Sequence, residues 1–517
     1  MEEAIDIIQN DGKMQKIQTI LIFLTSILNS VIITLLPYLL KKPYFLCSNA
    51  LSFNSAYFKC DEENYCYNNN FFIKIDYSKT LNNWNEKLSF YCDKSYYISL
   101  IIYSYFIGGI ISSCIFMHLG DKYGRKRIFK KLILIITICY FLFLFSFKQS
   151  ILIFIFFLFG IGSFSYIMTT LIVPELLNRT NSAFLTSLNT SSGFIFGMFF
   201  YLFYSFFNNM NILFLILTII SIIVCFYIHV FIHESLYWLI SKNRINECFD
   251  IMKIIAIYNE RKSQLDNINR ERFGTDKIKI IEECDYIWTI FKYDSQRKRL
   301  ITHMILWIFI GISFYSFLFS ISFIEINYNL KYFLVYFIIS LTQIIIGFTC
   351  DIIGRLKLLS YSLYLSGIAY FLFALIPNTN WIKPFAFTLI IISSSSSYTI
   401  LFIFTSEDFP TSIRCTVMGT MFIILKISGI ISYTFLNSNI FNYVIIACLC
   451  CVSGRLSESL EDTFDIVLDD EVPECYDETP FKKKLFRALK KERKSSLSDL
   501  YFLTSDDESF NKEQIYV

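Results

Sequence analysis

The chain has 517 residues, of which 55% are hydrophobic, 18% aromatic and only 17% charged, and its mean hydropathy is +0.50. Soluble globular proteins carry about a quarter charged residues, so this composition excludes them and points to a polytopic membrane protein. With 46 Lys and Arg against 43 Asp and Glu the net charge is only +3, which argues against nucleic acid as a partner.

Residues 1–16 precede a first apolar run, 17–40. That run is long enough to cross a bilayer and lacks a small-residue cleavage site, so it reads as a transmembrane helix rather than a signal peptide. Loop 41–95 follows, too long for a simple connection and expected to have a fold of its own. It holds Cys47, Cys60, Cys66 and Cys92, disulfide candidates outside a cell, and four cysteines allow three pairings among which sequence does not choose. Further runs at 96–118, 128–147, 151–173, 184–206 and 211–232 complete a first six-helix half, 17–232. A hydrophilic segment, 233–299, precedes a second half, 300–453, with runs at 300–323, 331–350, 356–376, 381–405, 415–435 and 437–453. The tail, 454–517, is polar and charged and reads as disordered. It ends Ile515-Tyr516-Val517, a terminus that a PDZ groove can take by strand addition; a solvated tail is the alternative.

Lys and Arg crowd one set of loops. Lys122, Arg125, Lys126, Arg127, Lys130 and Lys131 follow the second span, and Arg297-Lys298-Arg299 closes the central segment. The loops on the other side are short and nearly uncharged except 41–95, so both termini and 233–299 are expected in the cytoplasm, and 41–95, whose Lys residues are interspersed with acids, is placed outside by the even span count.

One signal occurs twice. The second span leads into Gly120-Asp121-Lys122-Tyr123-Gly124-Arg125, and the eighth into Gly347-Phe348-Thr349-Cys350-Asp351-Ile352-Ile353-Gly354-Arg355. Two related halves in one membrane chain imply alternating access. Gly124 and Gly354 permit a tight turn. Asp121 and Asp351 sit at helix ends, where they can pair with bases or with the next helix N-terminus. Arg125 and Arg355 can bridge to acids on neighbouring helices. Candidate partners stand at corresponding places: Glu175 with Arg179 after the fourth span, Glu407 with Arg414 after the tenth, and Glu234 after the sixth. Pairs of this kind hold one face closed and must break to open it.

His233-Glu234-Ser235-Leu236-Tyr237-Trp238-Leu239, Glu407-Asp408-Phe409-Pro410-Thr411-Ser412-Ile413-Arg414, Ile290-Phe291-Lys292-Tyr293 and the Cys-bearing loop together resemble the major facilitator superfamily. More narrowly they are similar to its organic cation, anion and zwitterion transporters, solute carrier family 22. The resemblance implies an all-α fold of twelve transmembrane helices in two pseudo-symmetric halves, a small organic ion as substrate, and a multi-pass place in the plasma membrane. It implies no cofactor. There are departures: Met117 stands where the family's first turn motif has Gly, and Arg179 comes four residues after Glu175 rather than seven. His233 and Leu236 replace prolines, and the Pro-Glu-Thr after the twelfth span is missing.

In such transporters the substrate lies near the bilayer midplane, where an ionisable residue is costly and functional by default. The spans hold almost no charge except Lys426. It follows Arg414 by twelve residues, roughly 18 Å along a helix and about halfway through a ~30 Å core. No Asp or Glu lies at that depth, so the simplest partner is an anion: substrate, chloride or an exchanged carboxylate. The alternative is a neutral or lipid-facing structural Lys. The resemblance points the same way, because cation transporters of the family carry Asp here and anion transporters Arg. It also implies that Trp307, Phe314 and Tyr315 match a pattern whose aromatics line the cavity, and that Gln343 stands where anion transporters often carry a second Lys. Asn29 and Tyr398 are further polar candidates, and the run Ser393–Ser397 reads as small residues for close helix packing. No metal cluster, phosphate loop or nucleophile–base set appears in the sequence, so an enzyme is not expected. An organic-anion carrier working by exchange or facilitated diffusion is the first reading. A cation or zwitterion carrier, or a receptor or scaffold without transport, are the alternatives.

Overall fold

In lipid every backbone N–H and C=O must find its partner within its own segment, so long apolar runs become helices. The computed structural model describes residues 12–49, 57–60, 66, 71–77, 79–176, 182–242, 244–261, 294–321, 328–377, 382–409, 411, 413–435 and 440–460. The first half contains α1 (Lys13–Leu39), then β1 (Phe45–Asn49), β2 (Phe58–Lys59), β3 (Phe71–Ile75) and the short α2 (Trp84–Leu88). It continues with α3 (Tyr96–Tyr123), α4 (Arg125–Phe143), α5 (Gln149–Gly162), α6 (Phe164–Leu176), α7 (Ser182–Phe207) and α8 (Met210–Phe231). Two short helices follow, α9 (Leu236–Ser241) and α10 (Ile245–Tyr258). The second half holds α11 (Asp294–Ser320), α12 (Tyr328–Ile353), α13 (Arg355–Leu375), α14 (Ile382–Asp408), α15 (Arg414–Phe435) and α16 (Ile440–Ser457).

Among the described residues eleven helical stretches are long and apolar enough to cross a bilayer, with α5 and most of α6 forming one of them. The twelfth span is α4, whose first turns hold Arg125, Lys126, Arg127, Lys130 and Lys131. Helices run past several of the apolar boundaries: α1 begins at Lys13, α11 at Asp294, and α16 continues to Ser457. Charged residues at these ends extend a helix into the interface without entering hydrocarbon, so hydropathy alone under-reads its length.

The two halves repeat one another in packing. α1 lies on α7 as α11 lies on α15; α3 on α5 as α12 on α14; α4 on α8 as α13 on α16. The most extensive packing between the halves is in two pairs, α3 with α15 and α7 with α12, and these too are related by the repeat. The two turns also match in backbone: Gly124 has φ 101° and ψ 151°, Gly354 φ 97° and ψ 147°. Only glycine takes that conformation without strain.

The described part of loop 41–95 does fold. β1 pairs antiparallel with both β2 and β3, giving strand order β2-β1-β3. Of the three pairings open to its cysteines, the structure has Cys47–Cys60 and Cys66–Cys92. The subdomain is bolted to the first half. The Asn83 amide donates to the carbonyls of Tyr38 and Lys41 at the end of α1. Trp84 enters the helical core, stacking on Phe214 and donating to the Ser146 hydroxyl at 2.9 Å.

Candidate substrate cavity and gate

The bundle has two ends, one carrying the Gly124 and Gly354 turns and one carrying the disulfide-bonded sheet. At the turn end the halves are fastened together. The Asp121 carboxylate, at the end of α3, accepts from the backbone N–H of Cys415 at 3.3 Å and of Thr416 at 2.7 Å, and from the Thr416 hydroxyl at 2.8 Å. It caps α15 from the opposite half, placing a negative charge where a helix has orphan N–H groups and a positive dipole end. Arg125 Nη2 donates to the Thr411 carbonyl at 2.7 Å, again across the halves. The Ser182 hydroxyl of α7 donates to Glu407 of α14 at 3.3 Å, a further bond between the halves.

The Glu-Ser-x-x-Trp sequence supports this junction. Glu234 caps α4, accepting from the backbone N–H of Arg125 at 2.8 Å and of Lys126 at 3.2 Å. Burial raises the pKa of this carboxyl above its ordinary value, and the two N–H groups and Arg125 offset part of that shift. Ser235 caps α9, and the Trp238 indole donates to the Asp121 carbonyl at 3.0 Å. In the second half Arg355 pairs with Glu407 at 3.0 Å and with Asp351 at 3.1 Å. Arg414 donates to the Phe409 carbonyl at 3.0 Å. Arg179 and the side chain of Glu175 lie outside the described residues, as do the chain terminus and most of the tail.

Met117, a departure from the family's glycine, has its own accommodation. A Cβ on Gly419 of α15 would overlap the Cβ of Met117, so the glycine stands on the other side of the α3–α15 contact.

From the middle of the bundle a cavity of about 840 Å³ runs to the sheet end, where Lys41, Lys42, Tyr44, Lys59 and Cys60 line it. Beside it the halves touch through a hydrogen bond from the Tyr336 hydroxyl to the Thr34 carbonyl at 2.7 Å. On the other side the Ser99 and Tyr433 hydroxyls are 3.0 Å apart. The cavity thus reaches the sheet and stops short of the turns.

Lys426 lies at the inner end of this cavity, with Phe314, Tyr315, Asn29 and Tyr398 also on its wall. Phe314 and Tyr398 stack with ring centroids 4.1 Å apart, and the Asn29 amide is committed to the Thr25 carbonyl and the Ser165 hydroxyl. Trp307 and Gln343 are not on the wall. Trp307 is buried behind Tyr398 and Phe402, donating to the Thr405 hydroxyl at 3.1 Å. Gln343 is fully buried with no hydrogen-bond partner among the described residues. Of the described lining residues the charged ones are Lys41, Lys42, Lys59 and Lys426, and none is a carboxylate.

Sequence reasoning missed what holds Lys426. Its ammonium donates to the Tyr105 hydroxyl at 2.8 Å and lies 4.2 Å from the Tyr105 ring centroid and 4.5 Å from that of Phe422. In a chain with 34 Tyr and 56 Phe, no sequence signal singled out these two. It also passed over Asp408, whose buried carboxylate pairs with Arg299 and lies 3.5 Å from His303 Nε2. Asp408 stands directly beside Glu407, which the motif made more conspicuous.

The family model of the Major Facilitator Superfamily matches residues 19–433. The organic cation transporter-like protein of Drosophila melanogaster is 24% identical over 519 residues, covering 89% of this chain and 90% of that protein. Solute carrier family 22 member 21 of Mus musculus is 22% identical over 403 residues, covering 76% of this chain and 70% of its own. Among solved structures, the proton:xylose symporter XylE bound to 6-bromo-6-deoxy-D-glucose superposes with a TM-score of 0.62 at 13% identity, over 88% of this chain and 97% of that one. At that identity the likeness concerns the fold alone.

Proposed function

The chain belongs to the Major Facilitator Superfamily, and from that premise we propose that it carries small organic anions across a membrane by alternating access. One observation carries the charge assignment: the charged residues on the described cavity wall are all lysines, with Lys426 at the inner end. A buried ammonium needs a counter-ion, and among the described residues no carboxylate meets it. The volume suits a drug-sized molecule, and the Phe and Tyr walls suit one with an apolar, partly aromatic body. The cycle is exchange or facilitated diffusion. The protein sits in the plasma membrane with both termini cytoplasmic, so the turn end faces the cytoplasm and the sheet faces outward.

A second reading has its own observation. The aromatic faces around the cavity also suit a cationic group, so a zwitterion with its carboxylate on Lys426 fits the same wall. Uptake of labelled anions, cations and zwitterions by the wild type, Lys426→Ala and Lys426→Asp tests both. Anion uptake is expected to fall to background in Lys426→Ala with surface expression unchanged, and Lys426→Asp is expected to favour cations. Unchanged anion uptake in both variants overturns the assignment.

A further inference from the structure

Lys426 belongs to α15 in the second half, yet it rests on the first. Its ammonium donates to Tyr105 of α3 at 2.8 Å and lies 4.2 Å from that ring's centroid. Its stem runs along Gly109 of the same helix, where an added Cβ would be 3.0 Å from Lys426 Cε and 3.3 Å from Cδ. The charge at the inner end of the cavity therefore hangs from one half and is held by the other. In the hydrogen bond the lysine donates and the phenolic oxygen accepts, because an ammonium has no acceptor. The phenolic hydroxyl also meets the Ser163 side chain, and both residues line the same cavity, where an arriving carboxylate competes for the phenolic proton.

We infer that Tyr105 is a specificity-determining residue that completes the anion site from the first half, so that a bound carboxylate bridges Lys426 of one half and Tyr105 of the other. The inference rests on the anion reading proposed above. An arriving carboxylate takes an N–H from the ammonium and the O–H from the phenol, both charge-assisted bonds. Neither half alone supplies both donors. A ligand that uses both binds the state in which α3 and α15 are together more tightly than the state in which they separate, which is the differential affinity that lets a ligand drive a conformational change. A cation gains nothing here, since the ammonium already occupies the face of Tyr105.

The test uses the full chain in proteoliposomes with labelled phthalate, an aromatic dianion, and labelled tetraethylammonium. Tyr105→Phe keeps the ring beneath the ammonium and removes the hydroxyl; its KM for phthalate is expected to rise about tenfold, with Vmax within about twofold. Tyr105→Gln restores a donor without the ring and is expected to recover part of that loss. A wild-type KM in Tyr105→Phe, while Lys426→Gln abolishes phthalate uptake, overturns this inference and leaves the anion reading standing. Wild-type phthalate uptake in Lys426→Gln, or none by the wild type, overturns both. If Tyr105→Phe fails to reach the membrane, Gly109→Ala carries the test. It crowds the lysine stem off Tyr105 and is expected to raise KM, and an unchanged KM there overturns the inference.

Discussion

The two glycine turns share a backbone conformation and differ in what they hold. Around Gly124 the acid and base are almost wholly buried, with side-chain exposures of 5% for Asp121 and 1% for Arg125. Both reach across to the second half, one to the N-terminus of α15 and the other to the Thr411 carbonyl. Around Gly354 the corresponding Asp351 is 37% exposed, and Arg355 turns to Glu407 within its own half. The first copy latches the halves together; the second mainly braces one half. Repetition of a motif therefore carries over the turn but not its load, because the load depends on what the opposite helix offers.

The largest expected effect comes from Asp121→Ala. It strands two backbone N–H groups of α15 and removes the carboxylate beside the buried Arg125 guanidinium, and breaking a buried charged pair costs about 3–5 kcal/mol. That cost falls on the state closed at the turns, so transport is expected to drop by about a hundredfold or more. Cys415 reports on the same event, since it is a buried free thiol beside Gly120. Its alkylation, followed by peptide mass spectrometry, is expected to accelerate in the variant. An unreactive Cys415 together with wild-type transport would show that Asp121 is no latch.

Gly419→Ala comes next. The new methyl group overlaps Met117, and overpacking of this kind costs about 1–3 kcal/mol. A fall in thermal stability and transport is expected, with Met117→Gly in the same chain restoring both. A double-mutant cycle with no coupling between the two positions would mean that Met117 is an isolated departure and not one half of an exchanged pair.

Arg355→Gln ranks third. It removes the bonds to Glu407 and Asp351, part-buried contacts worth about 1–3 kcal/mol together. A roughly tenfold loss of transport is expected, and Arg355→Lys is expected to recover only part of it, because a lysine cannot reproduce the two bonds the guanidinium makes to Glu407. A loss as deep as that of Asp121→Ala would place the second turn on a par with the first.

The spans, the repeat and the fold of loop 41–95 were legible because each rests on a local signal: hydropathy, a short motif, or length and cysteines. What the sequence left open depends on distant neighbours. The cysteine pairing needed the sheet register, which brings Cys47 beside Cys60. The run Ser393–Ser397 does sit in a buried, closely packed stretch of α14, but Ser394 also bonds to Ser313 at 2.8 Å, joining three helices through Ser366. Lys426 stood out by its charge, whereas Tyr105 was hidden among many tyrosines. Gln343 was placed by its distance along the helix from Gly354 and by the resemblance, neither of which fixes direction, and its helix turns it into protein rather than toward the cavity.

The smallest effect is expected at Asp351, and it is the sharpest test of the comparison. Asp351→Asn changes the same letter at the same point of the same turn as Asp121→Asn would. Its carboxylate is more than a third exposed and pairs with Arg355 one turn away. Exposed pairs of this kind contribute about 0–1 kcal/mol, because water screens the charges and the side chains give up freedom to meet. Arg355 keeps its bond to Glu407 when Asp351 loses its charge, so the brace survives. Less than a threefold change in transport is expected, with Cys415 as unreactive as in the wild type. Asp121→Asn, by contrast, replaces an acceptor that serves two backbone N–H groups and a hydroxyl, and is expected to lose at least tenfold. Equal losses in the two variants would mean that the halves are latched symmetrically, with Asp351 acting on the N-terminus of α7 at another stage of the cycle.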